Sequence, residues 1–334
     1  MIEPVKNVRW LLVGTGDIAA KRVAPALSST EGGTLTAICG IDKPTGMAFA
    51  QRFNVDRVYD NLNEALKDSD INAVYLATPV NRHVEHAIAA ATAGKHLMVE
   101  KPLGLNACEA RRAVDAARDA KVLAACAYFR RCSTRYLHAA KIIRSGLLGK
   151  IVLVRMVYHA WYNPAKDDPK HWRVERGRGG GGVLADMGCH MLDVMVGLLG
   201  MPVSIFAKSK TLVHAYEAED TASFLMEMPD GAQVSGSFGW SSKTWANELE
   251  IIGVEGKVKW APFDNGPVTL TIGRDTHELD LPPAENVHQP LISDFHNALR
   301  NGFKPASTLE EAAKTNVLLD AIYQSAASGG EIRL

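Results

Sequence analysis

The chain has 334 residues, 37 basic and 37 acidic side chains, a formal charge of zero and 47% hydrophobic residues. That length suits two domains with a sizeable core, and the charge balance argues against nucleic-acid and membrane-surface partners, which leave a basic excess. No apolar run is expected to reach bilayer-spanning length, the opening Met1-Ile2-Glu3-Pro4-Val5-Lys6 lacks the regions of a signal peptide, and five cysteines (Cys39, Cys108, Cys126, Cys132, Cys189) without a CxxC pair read as reduced thiols of a cytoplasmic protein.

The first part alternates strands and helices, as a parallel sheet requires. A strand over 8–13 leads through a glycine turn into a helix from about Ile18. Strands over 34–39, near Val58, over 73–77, over 96–100 and near 122–125 follow, with helices over 46–53, from Leu62, over 82–94 and over 108–120 between them. Right-handed crossovers in this order give a doubly wound Rossmann sheet with helices on both faces. From Tyr128 the pattern changes. A helix over 138–145 and a long strand over 151–159 precede a helix from Val183. Strand-like runs then cover 203–208, 221–228, 233–240, 248–253, 257–261 and 268–272, with reversals at Pro229-Asp230-Gly231 and Glu255-Gly256. These predict a C-terminal α+β domain with a large open, mainly antiparallel sheet. Such a sheet has a second face to cover, and self-association is one way to do it. Helices over 291–300 and 309–327 close the chain, and the last is expected to pack back on the first domain. The expected domains are 1–126 and 127–334.

Val13-Gly14-Thr15-Gly16-Asp17-Ile18-Ala19 fits GxGxxA between the first strand and first helix. The first glycine permits the tight turn and the second lets the backbone approach a pyrophosphate at the helix N-terminus. Gly14, Thr15, Gly16, Asp17 and Ile18 are therefore candidate cofactor contacts. An acid normally ends the second strand when NAD is preferred. Here Gly40 takes that place, with Asp42 and Lys43 just beyond. A missing acid beside a cation favours a 2′-phosphate, so the expected cofactor is NAD(P), with NADP favoured. An ordinary polar loop is the competing reading of these three residues.

Thr78-Pro79 and Glu100-Lys101-Pro102 follow two further strand ends. In a parallel doubly wound sheet these ends share the ligand-binding edge. Thr78 and Pro79 belong near the nicotinamide. Asn81 and His83 follow them and join the candidate cofactor contacts, although His83 also suits a helix start. Glu100, Lys101 and Pro102 complete the set. The Lys101 ammonium can hydrogen-bond a substrate oxygen and stabilise alkoxide character.

The segment Gly179-Gly180-Gly181-Gly182-Val183-Leu184-Ala185-Asp186-Met187-Gly188-Cys189-His190-Met191-Leu192-Asp193 opens with four glycines and reads on as a helix. At about 100° per residue, Asp186, His190 and Asp193 fall within roughly 60° of one another. An imidazole between two carboxylates is suited to proton exchange near neutral pH. A buried structural histidine is the competing reading, and a metal site lacks a fourth ligand from any other motif. The glycines read as room for substrate and nicotinamide to approach the backbone. Cys189 stands out among the cysteines by its place beside His190.

With Gly14-x-Gly16, Ala93-Gly94-Lys95-His96 leading to Glu100-Lys101-Pro102, and the glycines followed by Asp186, Gly188, His190 and Asp193, the chain resembles the Gfo/Idh/MocA oxidoreductases over nearly its whole length. Ala19 in place of a third glycine and Gly40 in place of an acid depart from the pattern. The resemblance implies hydride transfer between NAD(P) and a hydroxyl or carbonyl of a sugar, cyclitol or related polyol. It implies catalytic roles for Lys101, Asp186 and His190, and a cis Lys101-Pro102 bond. His190 would exchange the proton, Lys101 would hold the same oxygen, and Asp186 would orient one of them. It places Tyr128-Phe129-Arg130-Arg131 near the substrate and makes Trp172-Arg173 a substrate-contacting pair. The substrate set is thus Lys101, Arg131, Trp172, Arg173, Asp186 and His190, with no metal. The partners implied are a small polyhydroxylated substrate and further copies of the chain, in a homodimer or homotetramer through the C-terminal sheet. Two other activities use the same fold: a redox-neutral NAD-dependent glycoside hydrolase and a non-catalytic metabolite-sensing regulator.

Overall fold

A computed structural model describes residues 4–334. Residues 1–3, half of the segment read above for a signal peptide, lie outside the described residues. Strand β1 (Val8–Val13) passes through the glycine turn into a π-helical turn, Ala19–Val23, and helix α1 (Ala24–Ser29). Pro25 supplies no amide to the helical ladder at this junction. Then come β2 (Gly33–Cys39), α2 (Lys43–Gln51), β3 (Arg57–Tyr59), α3 (Leu62–Ala65), β4 (Ala73–Leu76), α4 (His83–Thr92), β5 (His96–Val99), α5 (Ala107–Asp119) and β6 (Ala124–Cys126). Side-chain caps start three of these helices: Asp42 for α2, Asn61 for α3 and Asn106 for α5 each accept an amide of the first turn.

The six strands form a parallel sheet in the order β3-β2-β1-β4-β5-β6. This is a doubly wound order, the sheet class expected from the sequence. Helices on both faces bury the strands, so they read as continuous apolar runs; β4 is buried at all of its positions.

The chain continues with α6 (Thr134–Arg144), β7 (Ile151–Trp161), α7 (Arg176–Gly179), a second π-helical turn at Leu184–Gly188, and α8 (Cys189–Leu199). Strands β8 (Ser204–Lys210), β9 (Thr221–Glu227), β10 (Gln233–Gly239), β11 (Ser241–Gly253), β12 (Gly256–Trp260), β13 (Val268–Ile272) and β14 (Asp275–Leu279) follow, then α9 (Gln289–Asn301), α10 (Leu309–Ser328) and β15 (Ile332–Arg333). β14 and β15 had no apolar signal to announce them. The nine-stranded sheet runs β14-β13-β12-β11-β7-β10-β9-β8-β15. Only β7 and β10 pair in parallel; its other pairings are antiparallel. Its strands alternate, as in β9, where Ala222, Phe224 and Met226 are buried and Ser223, Leu225 and Glu227 are exposed.

Two compact units result. One runs through Ser133 and takes in Ala284–Ala313; the other comprises Thr134–Pro283 and Lys314–Leu334. In the first, α9 lays Leu291, Ile292, Phe295 and Leu299 into the core around Trp10, whose ring lies 5.3 Å from that of Phe295. In the second, α8 is buried along Cys189–Val196. The stretch Arg176–Leu199 is 24 residues long and apolar enough to cross a membrane by length and composition. This corrects the expectation that no such run exists. Most of it is buried inside the protein, so its apolarity is that of a core helix.

Candidate functional site

In the first unit, the loops after β1, β4 and β5 meet at the carboxyl ends of their strands. Gly14 adopts φ +100°, and a Cβ there would stand 2.5 Å from the Ala77 carbonyl oxygen, so the turn and the close approach both demand glycine. Gly16 is exposed, with open space where a side chain would stand. Thr15 and Ile18 are partly buried beside it, and Asp17 is exposed and paired with Lys21 at 2.8 Å. The bare turn and following helix start form a cradle of the shape a pyrophosphate needs. Thr78 Oγ1 is buried without a hydrogen-bond partner among the described residues, and Pro79 stands partly buried next to it. An open Gly16 backbone and an unsatisfied hydroxyl on one sheet edge fit a dinucleotide.

His83 ties this edge together. It begins α4 and is fully buried, with Nδ1 2.9 Å from the Pro102 carbonyl and Nε2 2.8 Å from the Thr78 carbonyl. The ring therefore spans the loops that carry Thr78-Pro79 and Lys101-Pro102. Burial lowers its pKa, against the two carbonyls that raise it. Asn81 is exposed on the preceding 3₁₀ turn. The Lys101-Pro102 bond is cis.

Gly40 has a packing reason of its own. A Cβ there would meet the Gly46 backbone and the Asp42 carbonyl at 2.9 Å. The close approach of α2 thus excludes the usual acid, whatever the cofactor. Asp42 caps α2 by accepting the Thr45 amide at 2.7 Å, which lowers its pKa. Lys43 is exposed at the first turn of α2.

Glu100 is buried behind the same edge. Its Oε1 accepts from the Tyr75 hydroxyl at 2.9 Å and from His288 Nε2 at 3.3 Å, and its Oε2 accepts the Lys101 amide at 3.2 Å. Burial alone would raise its pKa. The His288 hydrogen bond and charge, the Lys101 ammonium and the Tyr75 hydroxyl outweigh burial and leave it lowered. Arg131, on the 3₁₀ turn Phe129–Cys132, is almost fully buried and pairs with Glu311 at 3.4 Å.

The second unit carries the other group. Arg173 reaches Asp186 at 3.1 Å and lies 5.6 Å from the centre of the Trp172 ring, so one guanidinium links the acid and the indole. Tyr158 and Tyr162 stand near the same pair; burial pushes each phenol up to about 12, and the Asp186 charge adds to it. His190 and Asp193 are buried and Asp186 is partly exposed. The α-helical register expected from Asp186 to Asp193 is interrupted, because Leu184–Gly188 is a wider π-helical turn. Asp186 therefore lies outside the α-helical geometry that relates His190 to Asp193. Cys189 is buried and its thiol approaches the Asp186 carbonyl at 3.6 Å.

The glycine run is also corrected. A Cβ on Gly182 would stand 2.0 Å from the Glu219 carbonyl oxygen, and one on Gly181 would stand 2.0 Å from the Tyr323 hydroxyl. Gly179 is bounded by the Arg173 carbonyl at 3.0 Å. These three glycines make room for the chain's own groups. Glu219, with no solvent exposure, accepts the Gly182 amide at 2.7 Å, the Leu184 amide at 3.0 Å and the Tyr323 hydroxyl at 3.0 Å. It caps the helix start from inside the protein.

Sequence reasoning missed Glu219, Tyr323, Tyr75, His288 and Glu311. Each is recruited from a distant segment, and no local motif marks it. Among the described residues no group of three His, Cys, Asp or Glu side chains is arranged to hold a metal ion.

Two family profiles match the chain. One, described as an oxidoreductase family with an NAD-binding Rossmann fold, covers residues 8–128, and the other, the GFO/IDH/MocA C-terminal domain, covers residues 136–259. The chain belongs to the Gfo/Idh/MocA family of oxidoreductases. This oxidoreductase is 29% identical to 1,5-anhydro-D-fructose reductase of Ensifer adhaerens, over 96% of its own length and 97% of the relative's. Its fold matches aldose-aldose oxidoreductase from Caulobacter crescentus with a TM-score of 0.90 at 23% identity, covering 98% of this chain and 100% of that one. It also matches levoglucosan dehydrogenase in complex with NADH and levoglucosan, with a TM-score of 0.90 at 22% identity over 98% and 99% of the two chains.

Proposed function

We propose that this dehydrogenase oxidises a hydroxyl, or reduces the matching carbonyl, of a sugar, cyclitol or related polyol. The observation that carries this reading is the meeting of the Gly14 turn, the Thr78 loop and the Lys101 loop on one parallel sheet edge, tied by His83. Bound NAD(P) would supply the hydride acceptor or donor. Gly14 through Ile18 would hold the pyrophosphate, with Thr78, Pro79 and Asn81 toward the nicotinamide. His190 takes the hydroxyl proton in oxidation and returns it in reduction. Lys101 hydrogen-bonds the same oxygen and favours its deprotonated form. Asp186, held by Arg173, orients the proton-transfer group or a neighbouring substrate hydroxyl, while Trp172 offers a flat apolar face to a sugar ring. Arg131, buried against Glu311, supports the Phe129–Cys132 turn rather than meeting the substrate through a free charge. In domain terms, the unit that runs through Ser133 and takes in Ala284–Ala313, rather than 1–126 alone, would bind the cofactor, and the unit of Thr134–Pro283 and Lys314–Leu334, rather than all of 127–334, would bind substrate and mediate assembly.

The absence of an acid at Gly40, although its cause is steric, and the exposed Lys43 favour NADP. Fluorescence titration with NADPH and NADH should show tighter NADPH; tighter NADH would reverse this preference. The activity itself is tested with a panel of 1,5-anhydro-D-fructose, levoglucosan, aldoses, inositols and 3-keto sugars, read by the near-ultraviolet absorbance of the reduced cofactor. Lys101→Met and His190→Ala should each lose on the order of 10²–10⁴-fold in rate. Wild-type rates from both variants would sink the assignment. Substrate consumed with no net change in cofactor absorbance would point to the redox-neutral hydrolase instead.

A further inference from the structure

We propose that His288 is a positioning residue for Lys101, acting through the Glu100 carboxylate. The proposal rests on the reading of Lys101 as the group that holds the reacting oxygen.

His288 comes from a segment 188 residues away in sequence from Glu100. Its backbone is pinned at the start of α9: its amide donates to Asn286 Oδ1 at 3.0 Å, and Asn286 Nδ2 donates to the Arg22 carbonyl at 2.8 Å. Its ring packs on Phe129 with centroids 5.1 Å apart. The ring is 2% exposed, and its Nδ1 has no hydrogen-bond partner among the described residues. The polar contact that remains to the ring is Nε2 to Glu100 Oε1. An ionised carboxylate only accepts, so Nε2 carries the proton in this pair.

The groups that face Glu100 come from several elements. Tyr75 from β4 shares Oε1 with His288. The Lys101 amide binds Oε2, and the Lys101 ammonium lowers the Glu100 pKa. The Cys126 thiol of β6 approaches the Glu100 carbonyl, and His83 of α4 feels the Glu100 charge. Glu100 thus sits directly behind the lysine with both oxygens committed. One holds the lysine's own amide and the other is held by His288 and Tyr75. Removing the His288 donor leaves a buried carboxylate with one fewer hydrogen bond, and burial then drives it toward its neutral form. A neutral Glu100 no longer balances the ammonium, and its grip on the Lys101 amide weakens. The rest of the fold need not change for this to happen.

The test compares His288→Leu, His288→Gln and His288→Asn in the intact enzyme. The Gln side chain can place an N–H where Nε2 stands; Asn is too short to reach. The first readout is the Glu100 side-chain carboxyl resonance in ¹³C-glutamate-labelled protein, assigned by its loss in Glu100→Gln. The second is the pH profile of kcat and KM with the fastest substrate of the panel above. In His288→Leu the Glu100 carboxyl should titrate at higher pH than in wild type. Its kcat should fall about tenfold on the acid side with KM little changed, and the acid limb should move with the Glu100 titration. His288→Gln should restore both, and His288→Asn should not. If the Leu variant fails to fold, the Gln and Asn pair carries the same comparison. An unmoved Glu100 titration, or Gln and Asn variants that behave alike, overturns the proposal. When Lys101→Met is inactive, that result leaves the lysine reading standing. Wild-type turnover by Lys101→Met sinks the lysine reading itself, and a Glu100 titration that still moves then shows a structural pair, which also overturns the positioning role.

Discussion

The two units differ in the side chains that tie their most deeply buried polar groups together. In the first, four imidazoles join distant segments. His83 spans two loop carbonyls, His288 holds Glu100, and His96 Nδ1 accepts the Leu123 amide at 3.0 Å. His296 accepts the Trp10 indole N–H at 2.9 Å on Nε2 and sits 2.9 Å from the Glu31 carbonyl on Nδ1. In the second unit, carboxylates gather backbone amides. Glu219 takes Gly182 and Leu184, and Asp220 takes Leu212, Val213 and His214. A parallel sheet covered on both faces leaves its polar loops buried at the strand ends, and a two-nitrogen ring can bridge them. A half-covered sheet with a glycine-rich helix entry instead leaves clustered amides, which a carboxylate satisfies.

The largest effect should come from breaking the carboxylate scheme. Glu219→Ala leaves two buried amides and the Tyr323 hydroxyl without their partner. At about 1–3 kcal/mol per unsatisfied group, a loss of about 4 kcal/mol is expected in urea unfolding. Wild-type stability would mean that the glycine run caps itself. Breaking the imidazole scheme should cost less: His296→Leu strands the Trp10 indole N–H and is expected to cost about 2 kcal/mol.

Acid should separate the units without mutation. In the first, burial lowers the pKa of His83, His86 and His296, and takes His96 down to about 4. A histidine with a depressed folded pKa binds more protons when unfolded, so its stabilising contribution is present above the unfolded value of 6.5 and is lost as pH falls. The first unit should therefore loosen between about pH 6.5 and 4. Glu219 has the opposite sign: burial raises it against its amide donors, so acidification relieves the burial of its charge. Burial would raise Asp220 too, but its amides outweigh it, so its contribution persists until pH falls below the usual carboxylate value of 3.8. Hydrogen exchange, corrected for its intrinsic pH dependence, should show β1 and α9 opening before β9 and β10. Simultaneous opening would erase this distinction between the units.

The smallest effect on folding is expected on the outer face of the nine-stranded sheet. Phe206 and Leu225 face each other across β8 and β9, 40% and 59% exposed. We propose that a second copy of the chain covers this face. Leu225→Lys should lower the mass seen by light scattering while changing monomer stability by about 0.5 kcal/mol or less. An unchanged mass would remove this face from assembly.

Much of the fold was legible because periodicity is a local property. The apolar runs of β1, β4 and β5 and the alternation in β9 and β10 placed both sheets, and crossover handedness gave the doubly wound class of the first; the strand order came from the structure. β14 carries Asp275, His277 and Glu278 in a mostly exposed edge strand, so no apolar period announced it. Part of the candidate site was legible for the same reason: Gly14, Thr78 and Lys101 all follow strand ends. The steric origin of the missing acid at Gly40, the close approach of Gly46, was not legible, because composition does not record it.

The residue order alone was enough to say that there are two α/β parts, where the Gly14-x-Gly16 turn lies, and that Lys101, Asp186 and His190 are the groups to examine. It could not say what the glycines at 179–182 make room for, or what stands behind Lys101. Those answers are Glu219, 37 residues from Gly182, and His288, 188 residues from Glu100. Hydrogen bonds act over about 3 Å of space and are indifferent to separation along the chain. A buried carboxylate finds its donors only when distant segments are packed together.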